Sequence, residues 1–138
     1  MDGWKKGNTR VLLDSEDSLQ AQCFAWFHNT FPLCRGLMYH IPNGGLRNMV
    51  EANKLKAMGV KEGVPDLHFA LPSYREGEYF ASLYVELKKP KTGRHSPEQL
   101  KEQEILRRAG NCVLECRTFE DFKKYITQWL EESEFKYK

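Results

Sequence analysis

The sequence predicts an α/β fold in which helices flank both sides of a mixed sheet of about four strands. Helical and strand patterns alternate along the chain, and the strand, helix and strand between residues 79 and 116 predict a parallel βαβ unit. The length of 138 residues and the hydrophobic content of 41% match one globular domain spanning residues 1–138. The first ten residues are polar, and residues 1–12 are expected to form a flexible N-terminal arm.

Two helices and a short strand are predicted in the first part of the chain. A helix is predicted from Ser15 to Phe31, because acidic residues suit its first turn and Pro32 follows its end. A strand from Leu37 to Ile41 then stops at a turn rich in Asn and Gly. The second helix is predicted from about Arg47 to Met58, and Gly59 is placed to end it.

The middle of the chain predicts an antiparallel hairpin. Apolar residues alternate with polar ones from Asp66 to Leu71 and again from Tyr79 to Lys88. The polar segment from Pro72 to Glu78 is expected to be the turn that joins the two strands.

The last third predicts a helix, a strand and a helix. Ser96, Pro97 and Gln99 form a helix start in which Ser96 and Gln99 make a capping box, and the helix is expected to end at Ala109. A strand from Cys112 to Cys116 precedes a helix that Thr118 caps, running from Phe119 to about Glu132.

The composition excludes some classes of protein. No apolar run approaches the ~20 residues that span a bilayer, and no apolar stretch follows the N-terminal charges, so neither a membrane partner nor a signal peptide is expected. Cysteines occur without CxxC spacing and are expected to be buried in a reducing compartment, hence in the cytoplasm. Their positions are Cys23, Cys34, Cys112 and Cys116.

The hairpin brings two acids together. If the turn centres on residue 76, Asp66 lies opposite Glu86, roughly 5 Å away. Because strand residues alternate between faces, Lys88 points to the same side as Glu86, and the apolar positions point to the other side. Two adjacent carboxylates repel each other, and a divalent cation with oxygen ligands such as Mg²⁺ relieves the repulsion. A surface salt-bridge cluster is the equally weighted alternative.

Two further polar groups favour a phosphate ligand. His40 and Asn43 lie at a strand end beside two glycines, where backbone amides can approach a phosphate, although turn chemistry alone also explains them. Four cations occur from Lys88 to Arg94 without an acid. The net charge of +2 neither requires nor excludes a nucleic-acid partner.

These motifs together resemble the VRR-NUC (virus-type replication-repair nuclease) family of the PD-(D/E)XK nuclease superfamily. The resemblance covers roughly residues 15–130. The segments that carry it are His40-Ile41-Pro42-Asn43-Gly44-Gly45, Lys54–Val60, Gly63-Val64-Pro65-Asp66-Leu67, Val85-Glu86-Leu87-Lys88 and Ser96-Pro97-Glu98-Gln99.

The resemblance implies a PD-(D/E)XK restriction-endonuclease-like core and a role for each matching residue. Asp66, Glu86 and the backbone carbonyl of Leu87 would bind Mg²⁺ or Mn²⁺, Lys88 would be the catalytic lysine, and Gln99 would lie near the metal. The first helix would contribute an acid, for which Glu16 is the best candidate and Asp17 or Gln20 the alternatives. The expected DNA contacts are His40, Asn43, Lys89, Lys91 and Arg94.

The resemblance also implies a function. The expected activity is metal-dependent hydrolysis of DNA phosphodiester bonds without an organic cofactor, by a homodimer that selects branched duplexes such as Holliday junctions. A less selective nuclease or end-processing exonuclease is the first alternative, and a non-catalytic DNA-binding module is the second. The setting that the family implies is DNA repair or replication in a bacterial or phage-infected cell.

Overall fold

The computed structural model describes residues 15–42, 48–88 and 93–135, with the backbone alone for Ser15 and Glu16. The predicted N-terminal arm, residues 1–12, lies outside them. The elements in chain order are α1 (Ser15–Thr30), a 3-10 turn (Pro32–Cys34), β1 (Met38–His40), α2 (Met49–Ala57), β2 (Leu67–Phe69), β3 (Ser73–Arg75), β4 (Glu78–Phe80), β5 (Leu83–Leu87), α3 (Pro97–Arg108), β6 (Cys112–Cys116) and α4 (Phe119–Glu132). In the described ranges, no helix has the length and apolar character that crossing a membrane requires.

The main sheet has the strand order β1-β2-β5-β6. Its first three strands pair antiparallel, whereas β5 and β6 pair parallel across the α3 crossover. The α/β fold with a mixed four-stranded sheet is therefore confirmed, and so is the predicted βαβ unit.

One face of this sheet packs against α1 and α4. The strands contribute Leu67, Phe69 and Val85, which are completely buried. Ile126 from α4 and Phe27 from α1 close the core above them, with the Phe27 ring 5.2 Å from that of Phe69. At about 25 cal/mol per Å² of apolar surface, burying such side chains is the main term that stabilises the fold.

The opposite face of the sheet lies beneath α3. Glu102 and Gln103 are the buried residues of this helix, and the Arg107 guanidinium donates a 3.1 Å hydrogen bond to the Val113 carbonyl of β6. This interface is polar, so α3 brings hydrogen-bonding groups, rather than a second apolar core, to this side of the sheet.

The helix ends follow from the residues that predicted them. Ser96 and Gln99 form the complete capping box of α3, and the Thr118 side chain accepts from the Asp121 amide at the start of α4. Gly59 follows α2 with a φ of +102°. The side chains satisfy backbone donors at the helix starts, and the Gly59 amide donates to the Lys56 carbonyl at the end of α2 at 3.0 Å.

The predicted turn from Pro72 to Glu78 is wrong, because this segment forms most of a second hairpin. Strands β3 and β4 pair as a separate two-stranded sheet. Its two-residue turn, Glu76-Gly77, has φ values of 53° and 79°, as a tight hairpin loop of the primed type requires.

The strand predicted from Asp66 to Leu71 ends at Phe69, and the strand predicted from Tyr79 to Lys88 is divided into β4 and β5. The segment after β2 is hydrogen-bonded to α4: the Trp129 indole nitrogen donates to the Leu71 carbonyl at 2.8 Å, and the Trp129 carbonyl accepts from the Ser73 hydroxyl at 2.6 Å. The second hairpin is thereby tied to α4 instead of continuing the main sheet. Sequence periodicity alone does not show such a long-range contact.

Candidate active site

Asp66 and Glu86 lie side by side at one end of the main sheet. Leu67 pairs with Val85, so the register places Asp66, the residue before β2, opposite Glu86 in β5. This is the register that a turn centred on residue 76 predicts. The Glu86 side chain is only 1% exposed, so its carboxylate is held out of bulk water.

Three hydrogen bonds fix Asp66, one to its side chain and two to its backbone carbonyl. The carboxylate oxygen Oδ2 accepts from the Leu87 amide at 2.7 Å. The Asp66 carbonyl accepts from the Ile41 amide and from His40 Nδ1, both at 2.8 Å. Since a carbonyl only accepts, His40 carries its hydrogen on Nδ1, and its observed contact holds the acid in place from the edge strand.

Lys88 is 5% exposed and its ammonium group has two defined acceptors. Its Nζ donates to the Gln99 side-chain oxygen at 2.7 Å and to the Arg94 carbonyl at 2.8 Å. The same Gln99 oxygen accepts from the Ser96 amide at 2.8 Å. The capping box of α3 therefore also positions the lysine, and it brings Gln99 to the side of the sheet on which Lys88 lies.

Glu115 is a residue of this site that the sequence reasoning missed. It is the parallel-strand partner of Glu86, so both side chains point to the α3 side of the sheet. His95 Nε2 is hydrogen-bonded to one carboxylate oxygen, and Arg117 donates to the other at 2.7 Å. Burial by itself raises the pKa of the Glu115 carboxyl, but the hydrogen bonds from Arg117 and His95 outweigh it and hold the pKa below its usual range.

The alternation of side chains in β6 was the available signal for Glu115. It placed Glu115 on the face opposite Cys112 and Cys116, and parallel pairing with β5 was expected. The register between β5 and β6 could not be predicted from the sequence. A long helical crossover, unlike a tight turn, does not fix which residues of the two strands are opposite each other.

The loop before β2 packs against the first turn of α3. Gly63 is buried with a φ of +86°, and a Cβ built there lies 2.4 Å from the Glu98 carbonyl oxygen. Lys61 of the same loop forms a 2.9 Å ion pair with the buried Glu102, which lies one turn further along α3. These contacts connect the strand that carries Asp66 with the helix that carries Gln99.

The remaining predicted residues are described by their exposure, where the structure describes them. Arg94 is exposed, and its carbonyl holds Lys88. Asp17 is exposed on α1, and Gln20 is half-buried there. The predicted DNA contacts Asn43, Lys89 and Lys91, and the side chain of Glu16, lie outside the described residues.

The donor set suits a hard divalent cation with few protein ligands. Two carboxylates and the Leu87 carbonyl offer oxygen atoms only, which is what Mg²⁺ prefers while it keeps several waters. Over residues 15–42, 48–88 and 93–135, no group of three or more His, Cys, Asp or Glu side chains is arranged to hold a metal.

Solved structures share the fold described above. A solved structure described as a "VRR_NUC domain protein" matches this chain with a TM-score of 0.69 and 24% identity, covering 91% of this chain and 96% of its own. A second, described as a "VRR_NUC domain", is also 24% identical and covers 80% of this chain and 97% of its own, with a TM-score of 0.48. No family model and no curated protein matches the sequence.

The chain thus has the fold of a VRR_NUC domain. The restriction-endonuclease-like fold that the sequence resemblance predicts is confirmed, and the matching structure carries the same domain name as the family that the motifs resemble.

Proposed function

We propose that this protein is a metal-dependent DNA nuclease of the VRR-NUC type. The observation that carries the proposal is the pair of adjacent carboxylates, Asp66 and Glu86, at the end of two neighbouring strands with the buried Lys88 beside them. An acid pair and a lysine on one sheet face suit phosphodiester hydrolysis, in which negative charge develops on phosphate oxygens. The fold supports the same function.

The metal would be held by Asp66, Glu86 and the Leu87 carbonyl. Asp66 Oδ2 is engaged by the Leu87 amide, which orients the carboxylate and leaves Oδ1 outside that bond. When bound, Mg²⁺ or Mn²⁺ supplies electrostatic stabilisation of the phosphate and lowers the pKa of a coordinated water. The two carboxylates, placed side by side, need such a cation to offset their mutual repulsion.

Lys88 would act on the reacting phosphate or the attacking water. An ammonium group has three N–H donors, and two of them are used by Gln99 and the Arg94 carbonyl. Both acceptors are neutral, so the positive charge of Lys88 is not cancelled by them. The remaining donor is available to orient a water or to stabilise developing negative charge. Gln99 would be a positioning residue that acts through Lys88.

The substrate proposed is branched duplex DNA, cut by a homodimer. Two identical sites related by a two-fold axis suit paired cuts in a four-way junction. His40, Asn43, Lys89, Lys91 and Arg94 are proposed to contact the DNA backbone, and the acid from α1 is proposed to be Glu16. Residues 1–138 would form a single nuclease domain. Free buried cysteines support a reducing compartment, such as the cytoplasm of a bacterial or phage-infected cell.

The experiment that tests the function compares a labelled immobile four-way junction with its matched linear duplex in Mg²⁺, Mn²⁺ or EDTA. Wild type is expected to make symmetric nicks in the junction only, and only with metal. Glu86→Gln keeps the shape of the side chain but removes its charge, and should reduce cutting at least about a hundredfold. Glu104→Gln, an exposed change on α3, is the matched control and should cut normally.

The other outcomes separate the alternatives. Equal cutting of the junction and the linear duplex would keep the nuclease and remove the junction selectivity. Ladders from linear ends would indicate an end-processing exonuclease. Tight binding without cutting in any metal would indicate a non-catalytic DNA-binding module.

A further inference from the structure

Three aromatic rings form a row next to the acid pair. Tyr39, His68 and Tyr84 are register partners across β1, β2 and β5. The Tyr39 and His68 ring centroids are 5.2 Å apart, and those of His68 and Tyr84 are 4.3 Å apart in a stacked arrangement. Asp66 and Glu86 follow on the same sheet face, two residues or about 7 Å along the strands.

A hydrogen-bond chain fixes the direction of the hydrogen bonds at His68 and Tyr39. Asn111 donates to the Leu106 carbonyl from its side-chain nitrogen, so its oxygen is the acceptor for the Ser82 hydroxyl, 2.7 Å away. The Ser82 hydrogen is thereby used, and His68 Nε2 must donate to the Ser82 oxygen at 2.9 Å. In the neutral imidazole, Nδ1 is then an acceptor, and the Tyr39 hydroxyl donates to it at 2.6 Å.

The exposed end of this hydrogen-bond chain is therefore the Tyr39 hydroxyl. Its hydrogen is already used, so its oxygen can only accept a hydrogen bond. Its side chain is 46% exposed. The phenol ring of Tyr39 contacts the His68 imidazole through its hydroxyl end, and the two ring planes form an angle of 85°. The imidazole therefore does not cover the faces of the phenol ring. A phosphate oxygen, itself an acceptor, gains nothing from such a group. A nucleobase offers both a π face for the ring and N–H donors for the oxygen.

We propose that Tyr39, held in place by His68 and Tyr84, stacks on a nucleobase of the strand whose phosphodiester is cut. This inference rests on the proposed nuclease function and specifies its substrate class as branched DNA with an unpaired or extruded base near the cut. In an intact duplex, neighbouring bases cover each base face, so only an unpaired or extruded base can reach the ring. The row would thus supply selectivity for branched DNA without reading sequence.

The test uses a duplex with a single-stranded flap that carries 2-aminopurine next to the branch point, in EDTA so that binding is measured without cleavage. Stacking on Tyr39 should quench the fluorescence of the probe. Tyr39→Ala should lose the quenching and bind the flap roughly fivefold to a hundredfold more weakly, while its affinity for the matched linear duplex stays unchanged.

Three variants separate ring stacking from other causes. Tyr39→Phe keeps the ring and should retain the quenching, whereas Tyr39→Leu keeps the bulk without a π face and should lose it. Tyr79→Ala, which removes a ring that is 57% exposed on β4, should behave as wild type. Thermal unfolding of each variant shows that it is folded.

Several results would overturn the proposal. The first is that the wild-type protein does not quench the fluorescence of the probe, and the second is that Tyr39→Ala or Tyr39→Leu still quenches it. The third is that Tyr39→Ala weakens binding to the flap and to the linear duplex equally. The fourth is that Tyr39→Phe loses as much quenching as Tyr39→Ala. Quenching by wild type without any metal-dependent cleavage would support the base contact and remove the proposed nuclease function. Metal-dependent cleavage without quenching would support the nuclease function and remove the proposed base contact.

Discussion

At the scale of single residues, Gln99 has two roles through one oxygen atom. Its Oε1 accepts from the Ser96 amide, which caps α3, and from Lys88 Nζ, which belongs to the candidate active site. A carboxamide oxygen has two lone pairs, so both bonds can form at once. The consequence is that helix capping and lysine placement are coupled, although only the capping is visible in the local sequence.

Gln99→Ala should therefore reduce both stability and cleavage. Loss of the cap should cost about 1 kcal/mol of unfolding free energy, measured by urea titration. Loss of the lysine acceptor should lower the cleavage rate by roughly tenfold to a hundredfold, because a shift of about 1 Å in a reacting group has effects of that size.

Ser96→Ala is the matched control for this prediction. It removes the 3.1 Å bond from the Gln99 amide to the Ser96 hydroxyl but leaves the Gln99 oxygen in place for Lys88. We expect a similar loss of stability with nearly normal cleavage. Equal loss of cleavage in both variants would show that Gln99 acts only through the helix cap.

At the scale of secondary-structure elements, the close approach of one loop to α3 brings the two parts of the site together. Gly63 combines a positive φ with direct contact to the backbone of Glu98 and Gln99. A side chain at this position would push the first turn of α3 away from the strand that begins after Asp66. The position of Gln99 relative to the acids therefore depends on the absence of a Cβ in the loop.

Gly63→Ala should destabilise the protein more than Gly59→Ala. Both positions have positive φ, which costs about 1–2 kcal/mol for a residue with a Cβ. At Gly59 no atom lies within 4 Å of the added Cβ, whereas at Gly63 the Glu98 carbonyl oxygen lies 2.4 Å away. Overpacking of this kind adds about 1–3 kcal/mol.

Thermal unfolding and cleavage of the two glycine variants test this arrangement together. We expect Gly59→Ala to retain cleavage and Gly63→Ala to lose most of it at temperatures where it is still folded. Equal melting temperatures for the two variants would contradict the close approach of this loop to α3.

At the scale of the whole molecule, the cysteines belong to the core and not to the chemistry. Cys23, Cys34, Cys112 and Cys116 are free and buried, as their sequence context predicted. Burial raises the pKa of the Cys23 thiol to about 12 and also raises the pKa of Cys116. A thiol with a pKa near 12 is ionised to only ~1 part in 10,000 at pH 8, and the thiolate is the reactive form.

The native protein should accordingly react slowly with a thiol reagent at pH 8. Labelling with a chromogenic disulfide is expected to show almost no fast-reacting thiol until denaturant is added, when all four react. Ser18→Cys introduces a thiol at an exposed position of α1 and should give one fast equivalent. A fast equivalent in the wild-type protein would show that part of the core opens readily.

The sequence by itself determined the four helices, the strands of the main sheet, the pairing of β2 with β5 and the meeting of Asp66 with Glu86. These features depend on local or short-range signals. The capping box of Ser96 and Gln99 fixes where α3 begins, and a turn centred near residue 76 fixes an antiparallel register. The alternation of side chains then decides which face each residue occupies.

Only the tertiary structure decided which distant residues join this site. Glu115 lies beside Glu86 because α3 packing sets the parallel register, which the long crossover leaves open. Trp129 of α4 is hydrogen-bonded to Leu71 and Ser73, where the second hairpin begins, and Gln99 reaches Lys88 because α3 folds back over the sheet. Each of these contacts joins segments far apart in the chain, and their energies depend on packing that no local pattern encodes.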